Sequence, residues 1–485
     1  MKISKKRTKI VGTLGPTSNT KTILRQMVQA GMDTCRLNFS HGDLKEHANF
    51  IRMIREVEKE MDIPLGIIAD LQGSRIRTGA IGGDLVLQRG NRVLLYDQKY
   101  RHQDVEKLCE NCVPITYANL YKDVKLNDTV LIDGGLVQLK VTGMETRKVY
   151  CKVMSGGRVG SHKGLNVPTT FVNLPAITSQ DKKHMDFAVK NGCDFIAISF
   201  VSNHKDILLA RKLVQALEKK HKIKGLTTRI MAKIERHEAL VNMDKIIEVA
   251  DVIMVARGDL GLETPLAKVP LMQKEIVLKC LKEYKPVIIA TQMLSSMVYN
   301  PTPTRSEISD VANAVIDHTH AVMLSEESAI GKFPVETIRT MTKIIEETEE
   351  SVYDDIDYPL NGKKDLQIDE AIASVTSDVA ENVKAKAILV ISLSGHTARL
   401  IAKFRPQLPL IVAVNDPRVM RQLTLVWGVT PLLMKECKSI DELIVQAIET
   451  VKKKHLIKKG DKVTITAGQP VGRTGNTNWI KVHQL

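Results

Sequence analysis

Aromatic side chains are scarce in this 485-residue chain, 4% of the total with only two Trp. That argues against a base-stacking surface for single-stranded nucleic acid. Cysteine is scarce as well, and the seven present are odd in number and widely scattered, which excludes a disulfide framework. Cys109 and Cys112 form one CxxC, but no second pair or nearby His pair completes a zinc site, so the motif reads as incidental. The first twelve residues carry charge around a very short apolar run and do not make a signal peptide. No apolar run approaches a membrane span, and a cytoplasmic location is expected. Walker A, a GxGxxG opening a dinucleotide unit and HExxH are all missing. Acid is the minority charge, 55 Asp and Glu against 70 Lys and Arg, for a net charge of +15. The lysines form no sustained basic block, so the charge suits phosphorylated small molecules better than nucleic acid.

What is present is organised. At this length two to four domains are expected. Eight short apolar runs, at 8–13, 34–40, 65–71, 193–200, 230–235, 251–256, 286–291 and 321–325, alternate with helical segments, which predicts a (β/α)8 barrel whose chemistry sits at the strand ends. Between the third and fourth runs the chain changes to glycine-punctuated β-rich sequence. This predicts a small β lid domain, 74–173, inserted in a barrel made of 1–73 and 174–353. A polar linker at 354–364 then leads to an open α/β domain, 354–485, with helices at 368–383, 397–404 and 440–453 and strands at 387–392, 410–414 and 462–466.

The stretch 231–261 carries the strongest chemical signal. Lys233 and Glu235 alternate with apolar residues and so project from one face of a strand. One helix is expected over 239–250, and the following strand ends in Arg257-Gly258-Asp259. Glu235 and Asp259 then finish adjacent parallel strands, a pair of hard oxygen ligands that suits Mg2+ with substrate oxygens completing its shell, while a lysine beside it can face developing negative charge. A structural ion pair and a plain turn account for the same residues taken alone. Other strand ends are also polar. Arg36, Asn38 and Ser40 take alternate places in the second run. The third ends in Asp70-Leu71-Gln72-Gly73, followed by Arg75 and Arg77, the seventh in Thr291-Gln292 and the eighth in Ser325-Glu326-Glu327. The segment Ser392-Leu393-Ser394-Gly395-His396-Thr397 lies between a strand and a helix start, where it fits either an anion site or an ordinary helix cap.

Together, Lys-Ile-Glu at 233–235, Met-Val-Ala-Arg-Gly-Asp-Leu-Gly at 254–261, Cys-Arg-Leu-Asn-Phe-Ser-His-Gly at 35–42, Thr-Gln-Met-Leu at 291–294 and Ala-Val-Met-Leu-Ser-Glu-Glu-Ser at 321–328 resemble the pyruvate kinase family over essentially the whole chain. The resemblance implies phosphoryl transfer from phosphoenolpyruvate to ADP, giving pyruvate and ATP, the last step of glycolysis. It implies Mg2+, for which Mn2+ can substitute, on Glu235 and Asp259. Lys233 would face the transferring phosphoryl group and the enolate oxygen, Arg36 would grip the phosphate, Gly258 would receive the substrate carboxylate and Thr291 would take part in proton delivery. Asn38, Ser40, His41 and Arg77 correspond to the nucleotide side, with Lys163 and Asp133 reaching it from the lid.

Family members that need K+ hold it with residues matching Asn38, Ser40, Asp70 and the Leu71 carbonyl, with a Glu where this chain has Arg75. The Arg therefore predicts activity without K+. Ser392, Ser394, Gly395, His396 and Thr397, with Arg473 in a closing loop, correspond to a site for a phosphorylated effector, and the resemblance implies a homotetramer. The competing reading on a similar barrel is a Mg2+-dependent enolate-forming lyase or aldolase, and from another class a polyanion-binding protein.

Overall fold

The computed structural model describes residues 5–83, 85–99, 111–168, 170–225, 227–354, 366–437, 439–470 and 475–485. Its centre is a closed barrel of eight parallel strands, in chain order Lys9–Thr13, Thr34–Asn38, Gly66–Asp70, Phe195–Ile198, Arg229–Ile234, Val252–Ala256, Val287–Ala290 and Ala321–Leu324. Each lies within one of the eight apolar runs or overlaps it to within a residue. Strands of a parallel barrel are covered on both faces, so they read as continuous Val, Ile, Ala and Met rather than as an alternation. One set packs against the helices, while Val11, Ile68, Phe195, Met231, Met254, Ile288 and Met323 fill the interior. Helix starts are fixed by caps that satisfy the orphan amides. Thr178 with Asp181, Asn203 with Asp206 and Thr304 with Glu307 each form a capping box.

After the third strand the chain leaves for the lid, a seven-stranded sheet with its own apolar core. A bridge from Thr78 to Ile115 joins its two edges, so the sheet curls into a barrel-like shape. The C-terminal unit is a five-stranded sheet ordered Val429–Leu433, Leu410–Val414, Ala387–Ile391, Lys462–Gly468 and Thr477–Gln484, parallel except for the last strand.

Three features depart from the expectation. The helix between the fifth and sixth barrel strands is two short ones, His237–Val241 and Met243–Val249, parted at Asn242. The C-terminal unit has a helix, Pro417–Gln422, and two strands, Val429–Leu433 and Thr477–Gln484, that periodicity did not reveal. Segment 416–429 closes the bottom of the barrel. Leu425 is fully buried among the interior residues, and Thr424 Oγ1 meets Thr34 Oγ1 at 2.8 Å. Gln422 Nε2 donates to the carbonyls of Asp194 and Thr227, and Lys9 Nζ donates to Val429 O at 2.8 Å. Gly66 makes this fit possible, because a Cβ there would stand 2.6 Å from Thr424 Oγ1. Among the described residues no helix is long and apolar enough to cross a membrane.

Candidate active site

At the opposite end of the barrel the fifth strand delivers Lys233 and Glu235 as its alternation requires. Lys233 Nζ lies 2.9 Å from Glu235 Oε1 and 3.2 Å from Asp70 Oδ1, and it donates to Ser199 Oγ at 2.7 Å. Ser199 in turn donates to the Leu71 carbonyl at 2.7 Å. Asp70 Oδ2 accepts from Arg36 Nε at 2.6 Å, and Arg36 Nη1 donates to Thr13 Oγ1 at 3.0 Å. Glu235 Oε2 accepts the Phe200 N–H at 2.6 Å. The ends of the first five strands thus converge on one charged cluster, almost dry, in which two cations balance two carboxylates.

Burial alone would neutralise these groups. It disfavours the Lys233 ammonium, but Asp70 and Glu235 outweigh it and hold the pKa above the ordinary lysine value. Burial also pushes Asp70 up, yet Lys233 and Arg36 prevail and its pKa falls. Glu235 goes the other way: burial, joined by the charge of Asp259, raises it against the pull of Lys233. Glu235 Oε1 and Asp70 Oδ1 are buried, and among the described residues the polar group facing each is the Lys233 ammonium, at 2.9 and 3.2 Å.

The sixth strand runs straight into the short helix Arg257–Glu263. Its start is pinned by Arg257, which pairs with Asp310 through both terminal nitrogens at 2.7 Å and donates to the Thr291 carbonyl at 2.8 Å. Gly258 N–H donates to Thr291 Oγ1 at 2.8 Å, and that hydroxyl donates to Ala290 O at 2.6 Å. Thr291 and Gln292 have φ of 70° and 57°, and Phe200 has 54°. Left-handed backbone at bulky residues, here at two strand ends facing one cluster, is the kind of stored strain found at functional sites. Asp259 Oδ1 lies 3.2 Å from Arg75 Nη1. The pair Glu235 and Asp259 fits the minimal two-carboxylate set that Mg2+ uses with substrate oxygens. No group of three or more His, Cys, Asp or Glu that could cage a metal occurs among the described residues.

The remaining predicted residues fall into three places. Arg36, Asn38 and His41 line a cleft of about 510 Å3 together with Thr13, Glu46 and Phe50, and Asn38 Oδ1 accepts the Ser40 N–H at 3.1 Å. Arg77 leads into the lid and donates to His162 O at 3.1 Å, while Lys163 and Asp133 pair with each other at 3.2 Å. Of the residues matched to a K+ site, Asn38 and Asp70 face each other in register, and the Leu71 carbonyl is engaged by Ser199. In the C-terminal unit Ser392 to Thr397 do join a strand to a helix, His396–Lys403. His396 Nε2 lies 2.8 Å from Asp369 Oδ2, Thr397 Oγ1 lies 2.6 Å from Thr477 Oγ1, and the Ser394 carbonyl accepts from Arg399 at 3.3 Å. Gly395 caps the helix with φ of 74°. Arg473 and Cys109 lie outside the described residues.

A (β/α)8 barrel presenting two carboxylates, a buried lysine and a braced arginine at its strand ends belongs to the class of barrel enzymes whose charged strand ends suit phosphorylated anions. The family model described as "Pyruvate kinase, barrel domain" matches residues 5–338, and "Pyruvate kinase, alpha/beta domain" matches 370–483. The chain is 41% identical to a pyruvate kinase of Clostridium acetobutylicum over 478 residues, 98% of this chain and 99% of that protein. It is also 41% identical to one of Geobacillus stearothermophilus over 485 residues, 99% of this chain and 81% of that protein. The crystal structure of a pyruvate kinase from Cryptosporidium parvum superposes with a TM-score of 0.90 at 35% identity, covering 99% of this chain and 96% of that one. The chain belongs to the pyruvate kinase family and is a phosphotransferase acting on phosphoenolpyruvate and ADP.

Sequence reading passed over several members of the site. Ser199 and Thr13 are ordinary hydroxyls at the ends of apolar runs. Asp70 entered only as a cation ligand, whereas it is the carboxylate that joins Arg36 to Lys233. The pin from Arg257 to Asp310 bridges 53 positions and has no local signal.

Proposed function

We propose that the enzyme works with Mg2+, or Mn2+ in its place, held by Glu235 and Asp259, and that Lys233, Arg36 and Thr291 act on the substrate beside it. The observation that carries this reading is the buried Glu235 carboxylate, set 2.9 Å from the Lys233 ammonium and close enough to Asp259 for that second carboxylate to raise its pKa. A divalent ion there withdraws charge from phosphoryl and enolate oxygens. The chain's own groups do the rest by position and charge, as phosphoryl transfer requires. Lys233, kept protonated by Asp70 and Glu235, faces the oxygen that gains charge as the phosphoryl group departs. Arg36 is braced by Asp70 and Thr13 through Nε and Nη1, so its other terminal nitrogen can meet the phosphate from a fixed direction. The N–H groups around Gly258 receive the carboxylate at a helix start, and the Thr291 hydroxyl holds the route by which the enolate gains its proton. Asn38, Ser40, His41 and Arg77 form the nucleotide side, joined by Lys163 and Asp133 when the lid, 74–173, excludes water over the barrel of 1–73 and 174–353.

Arg75 takes over the part of a monovalent cation, so K+ is dispensable. Support comes from its guanidinium standing beside Asp259. The domain 354–485 is regulatory, with a phosphorylated effector at Ser392, Ser394, Gly395, His396 and Thr397. The assembly is a homotetramer; Leu266, Leu271 and Tyr299, exposed by 76%, 67% and 72%, offer apolar surface to bury.

Pyruvate release from phosphoenolpyruvate, with and without ADP, tests the core of this reading. Turnover should require ADP, vanish with EDTA and return with Mg2+. It should differ less than about twofold between K+ and tetramethylammonium, since a guanidinium is a permanent charge; strong stimulation by K+ ends that part of the reading. A flat response to every sugar phosphate and to AMP ends the effector assignment.

A further inference from the structure

Near the base of the lid, Arg75 and Asn166 lie side by side, because Ile76–Arg77 pairs antiparallel with Gly164–Asn166. The Asn166 side chain makes two contacts of opposite polarity. Its Nδ2 donates to Glu263 Oε1 at 2.6 Å, and its Oδ1 accepts from Arg75 Nη2 at 3.3 Å. Arg75 Nη1 meets Asp259 at 3.2 Å. Asp259 and Glu263 stand four residues apart on the helix Arg257–Glu263, hence on one face. The side chains of Asp259, Arg75, Asn166 and Glu263 therefore close a ring whose return path is the helix itself.

The chemistry of this ring selects an amide. A buried carboxylate needs a donor and a guanidinium needs an acceptor, and among short side chains an amide offers both at a fixed separation. Space is arranged to suit. A Cβ on Gly164 would lie 2.6 Å from Arg75 Nε, so the guanidinium rests directly on the lid backbone. Arg75 also sits over the Phe200 ring, 5.8 Å from its centroid, and the Phe200 N–H holds Glu235. The lid stalk, the helix bearing Asp259 and the strand end bearing Glu235 are thereby tied at one point.

We propose that Asn166 is a positioning residue for phosphoryl transfer: through Glu263 and Arg75 it clamps the helix Arg257–Glu263 to the base of the lid, and so sets where Gly258 and Asp259 meet the substrate. This rests on the assignment of Gly258 and Asp259 given above. The clamp makes no contact with substrate. Its effect is felt in how well the ligand groups are aligned before binding, and less in the chemical step once they are filled.

The test is a polarity swap at pH 8. Asn166→Asp sets two carboxylates against each other. In metal-free protein the amides of 257–263 should then exchange with deuterium about tenfold faster, and half-saturating phosphoenolpyruvate should rise about tenfold with a much smaller change in kcat, as expected for losing a hydrogen bond to a charged group. Glu263→Gln alone keeps an acceptor for the Asn166 amide and should change both readouts less than about threefold. The double variant N166D/E263Q puts the donor on residue 263 and a carboxylate against Arg75, and both readouts should return to within about threefold of the parent. Exchange and half-saturation unchanged in N166D, or a double variant no better than N166D, overturn the proposal. Should N166D fail to fold, Asn166→Ser, whose hydroxyl is too short to bridge, must show the same two increases, and parental values there overturn it equally. Asp259→Asn separates the underlying assignment: an unaltered half-saturating Mg2+ concentration refutes Asp259 as a ligand while leaving the exchange results to judge the clamp.

Discussion

Replacing Lys233 by Met removes the ammonium shared by Asp70 and Glu235, at nearly constant volume. Two cations, Lys233 and Arg36, now balance two carboxylates, Asp70 and Glu235; the variant leaves one cation against two. Breaking a buried pair by removing one partner costs about 3–5 kcal/mol. Asp70 keeps Arg36 at 2.6 Å and Glu235 keeps the Phe200 N–H at 2.6 Å, which places the cost near the lower end, about 3 kcal/mol in a urea titration without Mg2+. Saturating Mg2+ should recover part of it by binding the native state alone. Turnover should fall about a thousandfold, the scale of deleting one preorganised charge from a water-poor site. Ser199→Ala, which removes a hydrogen-bond acceptor from the same ammonium, should cost about 1 kcal/mol and roughly fivefold in kcat. Pyruvate formation coupled to an NADH-consuming reaction reads both variants. Turnover of K233M within tenfold of the parent would show that the ammonium does not meet the reacting oxygen, and the assignment of the site would have to be redrawn around Arg36.

Leu425→Ala empties the floor of the barrel interior, where Leu425 is fully buried, and should destabilise by about 2–5 kcal/mol in urea; a loss below 1 kcal/mol would mean the barrel closes without it. His320, buried with Nδ1 unpartnered, has its pKa pushed well below 6.5 by burial and by Arg405. The unfolded imidazole binds a proton that the folded one refuses, so stability is full above about pH 6.5 and falls below it by up to about 1.4 kcal/mol per pH unit. His320→Gln should flatten thermal stability between pH 5 and about 6.5, and an unaltered slope there contradicts the assignment. Asp310→Asn weakens the bidentate pin on Arg257, loosening Gly258 and Thr291 together. Half-saturating phosphoenolpyruvate should rise several-fold, consistent with a charge-assisted pair, and a change confined to kcat would argue that the pin serves something else.

The barrel was legible because its strands are buried on both faces and stand as clean apolar runs, and the charged cluster because Lys233, Glu235 and Asp259 interrupt those runs where strands end. The split at Asn242 was not, since Ala239 to Ala250 keep helical spacing across it and only the backbone registers the break. The strand Val429–Leu433 is buried at four of its five positions, yet a proline at its centre argues against a strand in sequence; on the edge strand of the sheet that proline costs little. The strand Thr477–Gln484 alternates weakly because it is an antiparallel edge with one fully buried residue among eight. Asn166, Glu263 and Asp310 are single polar residues whose meaning lies in partners far along the chain, and no local pattern can disclose such pairs.

The floor segment bears on why barrel and C-terminal unit belong together. Segment 416–429 touches the first strand at Lys9, the second at Thr34, the third at Gly66, the fourth through the Asp194 carbonyl that precedes it, and the fifth at Arg229, which donates to Gln422. The far ends of these same strands lead to Thr13, Arg36, Asp70, Ser199 and Lys233 with Glu235. Strands of four to six residues hydrogen-bonded into a closed ring are stiff along their length, and packed interiors shift between discrete arrangements more readily than they deform smoothly. The helix His396–Lys403 packs in the same apolar cluster as Leu423 of that segment, which gives the loop 392–397 a short material connection to the floor.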